Sequence, residues 1–310
     1  MTAALPLPPP AHDQRLPAAH PGAGGTRQLL GVPYAAIPGV RPLELDLVLP
    51  PETGEPVPVV VFLHGGGWRV GNRHTTGPMY GGSSPTPFER VAMAGIAVAS
   101  SDYRLSGEAT WPAQLHDAKA AVRWLRARAA ELGIDPDRIA AWGESAGGHL
   151  AELLGLTADD AELEGEVGIT GPSSRVSAVV AWYAPSDVAA VATDTGADPG
   201  DATTREAQLL GAPARDVPEL ATQASPISHV SADAPPFLLL HGEADRFIPF
   251  VQSVRLHTAL VEADAEAEIA LYEDADHMWL GSPDAAEKAL DRTTDFLRRQ
   301  LAARPTKDDR

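Results

Sequence analysis

The chain of 310 residues contains no cysteine. This absence excludes disulfide bonds, thiolate metal ligands and cysteine nucleophiles together. It leaves the redox compartment open, because a chain without cysteine folds equally well under oxidising and reducing conditions.

Positive charge is scarce. Lys and Arg total 24 against 42 Asp and Glu, which gives a formal net charge of -18. This excess repels phosphate backbones and anionic lipid surfaces, so we expect neither nucleic acid nor a membrane as a partner. The 44% of hydrophobic and 21% of charged residues are typical of a soluble globular protein.

Long hydrophobic runs are also missing. No apolar run reaches the roughly 18 residues that span a bilayer. The N-terminus lacks a basic segment followed by an unbroken apolar one, so it does not resemble a secretory signal. We therefore expect a cytoplasmic protein, and the sequence is compatible with a monomer or a homodimer.

Both ends of the chain lack periodicity. Residues 1–28 are rich in Pro, Ala and Gly, and residues 304–310 are polar. Such composition is typical of flexible segments. We expect an N-terminal arm, a single domain over 29–303 and a short tail.

Within the domain, strand patterns alternate with helix patterns. The apolar runs at 57–65 and 95–104 are typical of strands buried on both faces of a sheet. Helical spacing of apolar residues follows at 112–133 and again at 284–303. The alternation predicts an α/β fold with a mostly parallel central sheet and helices on both faces.

One long segment, 186–226, is irregular, with Gly, Pro and Asp among weak helical pieces. It is either a small insertion above the functional site or a surface excursion. The insertion is the favoured interpretation.

A candidate nucleophile is Ser145, in the middle of Gly143-Glu144-Ser145-Ala146-Gly147. The pentapeptide alone fits a glycine-rich turn equally well. Here, however, it follows a strand pattern and opens a helix pattern, as a nucleophile elbow does. The elbow is a strained turn that needs small neighbours, and a helix N-terminus favours developing negative charge.

The second motif is HGGGW, residues 64–68, at the end of an apolar strand pattern. Consecutive glycines expose main-chain N–H groups that can stabilise an oxyanion. We predict that Gly66, Gly67 and Ala146 are the donors, with His64 fixing the shape of the loop. A flexible loop is the alternative.

Ser145 needs a base, and ten histidines compete for this role. His149 lies one turn inside the helix that the serine opens, so we expect it to pack or to hydrogen-bond there. His277 follows the last strand pattern, and loops at the carboxyl ends of parallel strands converge on the site. We predict that His277 is the base. The alternative is that His277 is a polar loop residue without a catalytic role.

The acid is expected from the loop after the preceding strand pattern. Asp245 lies far enough into this loop to reach the outer imidazole nitrogen. Glu243, Asp274 and Asp276 are alternatives. The order Ser145, Asp245, His277 is the chain order of α/β-hydrolases.

With these motifs, the chain resembles the α/β-hydrolase carboxylesterases of the hormone-sensitive-lipase-like superfamily. The runs DYRLSGEATWPAQLHDAKAAVRWLRARAAELG, ASPISHVSADAPPFLLLHGEADRFIP and DADH are similar to the bifunctional feruloyl and acetylxylan esterase-like group. The resemblance covers about residues 30–300. It implies an α/β-hydrolase fold and hydrolysis of carboxylic esters without a metal or an organic cofactor.

The chain departs from that pattern in two places. Residues 102–108 read DYRLSGE where the superfamily commonly has DYRLAPE, and the Pro-rich arm is a poor candidate for a helical cap. We therefore expect an open site with little or no cap. Trp68, Tyr34 and Trp279 are candidates for lining the substrate pocket. Packing in the core or in loops is the alternative for each.

Other functions are alternatives to ester hydrolysis. An amidase, a formamidase or a carbamate-cleaving hydrolase uses the same triad. A non-catalytic binding module on this fold is a further alternative, but such proteins usually lose a triad member, and none is lost here. A metal hydrolase has no support, because the chain has no H-E-x-x-H motif and no His/Asp cluster with ligand spacing. The expected partner is a small-molecule ester.

Overall fold

The computed structural model of the protein describes residue 10 and residues 13–158 and 160–302. Strands in this part of the chain form one mixed sheet. They are β1 (His20–Pro21), β2 (Arg27–Ala35), β3 (Leu43–Leu49), β4 (Val57–Leu63), β5 (Ala97–Ser101), β6 (Ile134–Glu144), β7 (Val179–Trp182), β8 (Phe237–Gly242) and β9 (Ala267–Tyr272).

The sheet has nine strands in the order β1-β2-β3-β5-β4-β6-β7-β8-β9. The first three pair antiparallel at one edge, and β3 also runs antiparallel to β5. From β5 to β9, each pair of neighbours is parallel. The predicted mostly parallel sheet is confirmed.

Helices cover both faces of the sheet. They are α1 (Pro87–Met93), α2 (Ala113–Ala127), α3 (Ala129–Leu132), α4 (Ala146–Leu156), α5 (Ala161–Glu164), α6 (Val191–Thr195), α7 (Arg205–Leu210), α8 (Pro218–Gln223), α9 (Val251–Glu262) and α10 (Pro283–Gln300). Apolar residues of α2, α4 and α9 join the core on one face, and those of α1 and α10 join the core on the other. No described helix is both long and apolar enough to cross a lipid bilayer.

Strand β4 shows why its sequence is apolar throughout. Val59, Val61 and Leu63 belong to one core, and Val60 and Phe62 belong to the other. Side chains alternate between the two faces of a strand, and both faces are covered here. A strand in this position has no face for polar residues.

The N-terminal boundary differs from the prediction. Residues 1–9, 11 and 12 of the expected arm, and the whole tail 304–310, lie outside the described residues. The chain has already joined the sheet at β1, which pairs with β2, so the limit predicted after residue 28 falls inside a strand. Glu89 on α1 also anchors this segment, because its Oε1 accepts a hydrogen bond from Ala23 N at 2.8 Å.

Candidate active site

Ser145 lies at the sharp turn between β6 and α4. Its φ is +52° and its ψ is −119°, a strained conformation for a residue with a side chain. A Cβ atom at Gly143 would lie 2.1 Å from the carbonyl oxygen of Gly147, and one at Gly147 would lie 2.0 Å from that of Leu63. These two glycines therefore let the chain close tightly around the serine.

The structure brings together the three residues predicted as a triad. Nε2 of His277 lies 3.0 Å from Oγ of Ser145, and Nδ1 of His277 lies 2.7 Å from Oδ2 of Asp245. Asp245 follows β8 and His277 follows β9, so both loops reach the site from the carboxyl ends of parallel strands. This arrangement can transfer the proton of a serine hydroxyl to an imidazole that a carboxylate orients.

Asp245 is held as a carboxylate. Its Oδ1 accepts hydrogen bonds of 2.8 Å from the main-chain N–H groups of Phe247 and Ile248. Burial alone would raise the pKa of Asp245, but the hydrogen bonds of His241 and His277 outweigh it and hold that pKa well below the usual range. The side chain is therefore ionised at neutral pH and can stabilise an imidazolium.

The alternative acid Asp276 has another task. Its Oδ1 accepts hydrogen bonds from the main-chain N–H groups of His277 at 2.8 Å and Arg246 at 3.0 Å. Its Oδ2 also accepts a hydrogen bond of 2.6 Å from Nε of Arg246. Asp276 thus ties the loop of Asp245 to the loop of His277 and fixes the distance between the two.

The predicted oxyanion donors belong to the wall of the cavity that Ser145 also lines. Gly66 and Gly67 have positive φ values of 114° and 61°, and both line the same cavity as Ala146 and Ser145. Among the residues that the structure describes, none accepts a hydrogen bond from the main-chain N–H of Gly66, Gly67 or Ala146. These donors are available to a developing oxyanion.

His64 fixes the glycine loop, as the sequence led us to expect. Its Nδ1 donates to the carbonyl oxygen of Gly65 at 2.7 Å, and its ring stacks on Tyr103 with 4.3 Å between the centroids. The hydroxyl of Tyr103 donates to the carbonyl oxygen of His64 at 2.9 Å. Burial lowers the pKa of His64, so the ring is neutral at neutral pH.

Glu144 supports the site from behind, and sequence reasoning missed it. Its Oε1 accepts hydrogen bonds from the main-chain N–H groups of Gly65 at 3.4 Å and Gly77 at 3.2 Å. Its Oε2 accepts one from the hydroxyl of Tyr183 at 2.9 Å. Burial raises the pKa of the Glu144 carboxyl, and the hydrogen bonds that it accepts offset only part of this effect. The sequence did contain a signal for this role, because Glu144 is the one acidic residue in a motif of small residues, 143–147.

A cavity of about 1070 Å³ opens over Ser145. Trp68 is among the residues that line it, whereas the predictions for Tyr34 and Trp279 are wrong. Tyr34 is fully buried and donates to the carbonyl oxygen of Asp102 at 2.7 Å. Trp279 is fully buried and packs edge-on against other aromatic rings of the core. Residues that the sequence did not single out line much of the wall, including the loop over 73–83, Arg205, Phe247 and Met278.

The segment 186–226 reaches this cavity through α7, which contributes Arg205 and Glu206. His149 connects the same segment to α4. It is fully buried, and its Nε2 donates to the carbonyl oxygen of Ala224 at 2.7 Å. The ring of His149 is therefore an anchor for this segment, and His277 is the histidine whose ring contacts the hydroxyl of Ser145.

The elbow between β6 and α4, the acid after β8 and the histidine after β9 define the protein as an α/β-hydrolase with a serine-centred site. The BD-FAE family model matches residues 45–260, and the chain belongs to the BD-FAE family. The resemblance seen in the sequence is confirmed.

Known relatives agree with this assignment. Esterase LipQ of Mycobacterium tuberculosis is 34% identical over 244 residues, which are 77% of this chain and 54% of LipQ. The chain thus spans about half the length of the curated relatives that it matches.

Two solved structures are similar along most of the chain. A truncated carbohydrate esterase from gut microbiota has a TM-score of 0.78 and 32% identity, covering 91% of this chain and 99% of that one. The propionate-bound esterase 2 of Thermogutta terrifontis has a TM-score of 0.70 and 27% identity, covering 91% and 97%. Both support the assigned fold.

Proposed function

We propose that the protein is a serine carboxylic-ester hydrolase that acts on small to medium esters through an acyl-enzyme. The observation that carries the proposal is the chain of contacts from Ser145 to His277 to Asp245, beside three free main-chain N–H donors and under an open cavity. Each part has a role in acyl transfer.

In the first half of the reaction, Oγ of Ser145 attacks the ester carbonyl while Nε2 of His277 takes the hydroxyl proton. Asp245 stabilises the imidazolium that forms. The carbonyl oxygen becomes an oxyanion, which the N–H groups of Gly66, Gly67 and Ala146 stabilise. His277 then gives its proton to the departing alcohol, and the acyl group stays on the serine.

In the second half, water takes the place of the alcohol. His277 removes a proton from the water as it attacks the acyl-enzyme, and the same oxyanion donors stabilise the second tetrahedral intermediate. Collapse of this intermediate releases the carboxylic acid and returns the proton to Oγ of Ser145. The cycle uses these three side chains, the main-chain oxyanion donors and water.

The substrate class rests on the relatives. The same triad can cleave amides and carbamates, but the matched relatives and solved structures are named as esterases. A non-catalytic binding module does not require the ordered contacts among Ser145, His277 and Asp245. We therefore propose a small-molecule ester as the partner of the cavity.

The test is hydrolysis of p-nitrophenyl acetate by the parent and by Ser145→Ala. We expect the variant to lose at least a thousandfold in kcat, because the nucleophile is gone. Ser106→Ala, which removes a half-buried serine away from the cavity, is the control and should match the parent. Labelling by a fluorophosphonate should disappear in Ser145→Ala alone. Activity of Ser145→Ala within tenfold of the parent would exclude the proposed mechanism.

A further inference from the structure

Arg205 holds a positive charge at the mouth of the cavity. It is the first residue of α7. Its aliphatic stem packs on the oxyanion loop, residues 64–68, because a Cβ atom added to Gly67 would lie 2.5 Å from Cδ of Arg205. The guanidinium carbon lies 5.2 Å from the ring centroid of Phe247. That ring is in turn 5.6 Å from the imidazole of His277. The stem of Arg205 therefore lies against Gly67, and its guanidinium is separated from the base by the ring of Phe247.

Within the described part of the chain, Arg205 has no ion-pair partner. Of the described carboxylates, none lies within 4.0 Å of the guanidinium of Arg205 or of Arg69, which lines the same cavity. Arg73, the third arginine of the wall, differs in that its guanidinium is paired with Glu44, Asp46 and Asp102. In a chain with 42 acidic residues, cations left unpaired at a cavity are available to a ligand.

Glu206 is the acidic residue nearest to this cation in the sequence, and it also lines the cavity. Burial raises the pKa of its carboxyl, and the charge of Arg205 offsets part of that effect. The described side chains of Glu206 and Arg205 form no ion pair with each other, so Glu206 does not occupy the guanidinium.

We propose that Arg205 determines specificity by binding a carboxylate carried by the ester substrate, in its acyl or its alcohol half. The planar guanidinium presents a fork of N–H donors that matches the two oxygens of a carboxylate. Phe247 and Gly67 hold the stem and the charge in place before the substrate arrives. This inference rests on the proposed ester hydrolysis and narrows it to anionic esters.

The experiment compares esters of matched shape. Monoethyl succinate carries a carboxylate at the end of its acyl chain, where ethyl 4-methylpentanoate carries an isopropyl group. Acetoxyacetate and isobutyl acetate make the same exchange in the alcohol half. For each pair, the ratio of kcat/KM for the anionic ester to kcat/KM for the neutral ester reports recognition of the charge. Any general disturbance of Gly67 cancels in this ratio.

We expect Arg205→Gln to lower the ratio about tenfold in at least one pair, because a charge-assisted hydrogen bond is lost. The affected pair tells which half carries the carboxylate. Arg205→Lys should retain part of the preference, since it keeps the charge and loses the fork. Glu206→Gln should leave the ratio unchanged or raise it.

Arg215→Gln is the matched control, because it removes an exposed arginine from the same segment without touching the cavity. It should leave both ratios unchanged. Ratios for Arg205→Gln equal to those of the parent in both pairs, or an equal fall in Arg215→Gln, would overturn the proposal. In that case the parent would still hydrolyse the neutral esters, so the proposed ester hydrolysis would stand. Failure of the parent to hydrolyse any of the four esters would instead count against ester hydrolysis itself.

Discussion

His241 contacts the same carboxylate oxygen of Asp245 that accepts the hydrogen bond of His277: its Nε2 lies 3.3 Å from Oδ2. The same Nε2 is 2.8 Å from the carbonyl oxygen of Ile248, which only accepts, so Nε2 carries the proton. Nδ1 is 2.7 Å from the hydroxyl of Ser253. The proton on Nε2 of a second, fully buried imidazole thus faces two acceptors, the carbonyl oxygen of Ile248 and the acid of the triad.

The first prediction concerns this donor. His241→Leu should lower the free energy of unfolding at pH 7 by about 1.5–3 kcal/mol relative to His241→Gln, whose amide can donate to the same oxygen. We also expect kcat to be several-fold lower in the leucine variant, because Asp245 is less firmly oriented. Urea unfolding and ester hydrolysis of the two variants measure both effects. Equal stability and equal kcat of the two variants would contradict the prediction.

The effect on stability should depend on pH in a defined direction. The pKa of Asp245 is depressed in the fold, so its ionised form stabilises the protein above the unfolded-state pKa of about 3.9. This contribution is lost as the pH falls through the lower folded-state pKa. The unfolded-state pKa is the same for both variants, so the difference between the leucine and glutamine variants should be constant while Asp245 is ionised in both folded proteins. It should narrow only as the pH falls through the depressed folded-state pKa of Asp245. A difference that already disappears between pH 7 and pH 5 would exclude Asp245 as its source.

The fold and the central contacts of the site could be predicted because both depend on local pattern. The continuous apolar run of β4 indicates a strand covered on two faces, and Ser145, Asp245 and His277 each follow a strand pattern. Parallel strands bring such positions to one edge. By contrast, β2 was missed, because register shifts on either side of Val32 break its alternation. A capping box from Thr86 to Glu89 marks the start of α1 and could have revealed it.

The walls of the cavity could not be predicted, because they depend on packing between distant segments. Tyr34 and Trp279 are aromatic residues, a type that often lines pockets, yet tertiary contacts place both in the core. Arg205 lies 138 positions from Gly67 in the chain, and no local pattern joins them.

The second prediction concerns His149. Burial lowers the pKa of this ring to about 4, below the unfolded value of about 6.5. The unfolded chain therefore binds a proton first, and the parent loses stability as the pH falls from 6.5 towards 4. His149→Phe removes this loss. Between pH 7 and pH 5, the stability of the parent relative to the variant should fall by about 2 kcal/mol.

Urea unfolding at the two pH values measures the effect, and ester hydrolysis should stay within about tenfold of the parent, since the ring of His149 hydrogen-bonds Ala224 and only its main-chain N–H bonds Ser145. His229→Phe is the control. Its Nε2 also hydrogen-bonds a main-chain carbonyl, that of Gln223 at 2.8 Å, but its side chain is only half-buried. The same pH response in both variants would show that burial of His149 is not the cause.

The third prediction concerns Glu144. Glu144→Ala leaves the buried hydroxyl of Tyr183 and the main-chain N–H groups of Gly65 and Gly77 without their acceptor. Because Gly65 belongs to the oxyanion loop, we expect kcat to fall about tenfold with little change in KM. Stability should fall by about 1–3 kcal/mol. Glu144→Gln keeps an acceptor oxygen and should stay within threefold of the parent. An alanine variant with parental kcat would show that the loop keeps its shape without this support.

The fourth prediction concerns the tight approach at Gly143. A Cβ atom there would lie 2.1 Å from the carbonyl oxygen of Gly147 and 2.3 Å from its carbon, and both are main-chain atoms of α4 that cannot rotate away. Gly143→Ala must therefore move β6 and α4 apart, and we expect a loss of about 3 kcal/mol or more in the free energy of unfolding. Gly107→Ala is the control, because nothing lies within 4 Å of the added atom. Thermal unfolding compares the two. A Tm of Gly143→Ala equal to that of Gly107→Ala would mean that the elbow relaxes without cost. A large loss confined to Gly143→Ala would mean that the close packing of strand on helix, which gives Ser145 its strained conformation, is rigid.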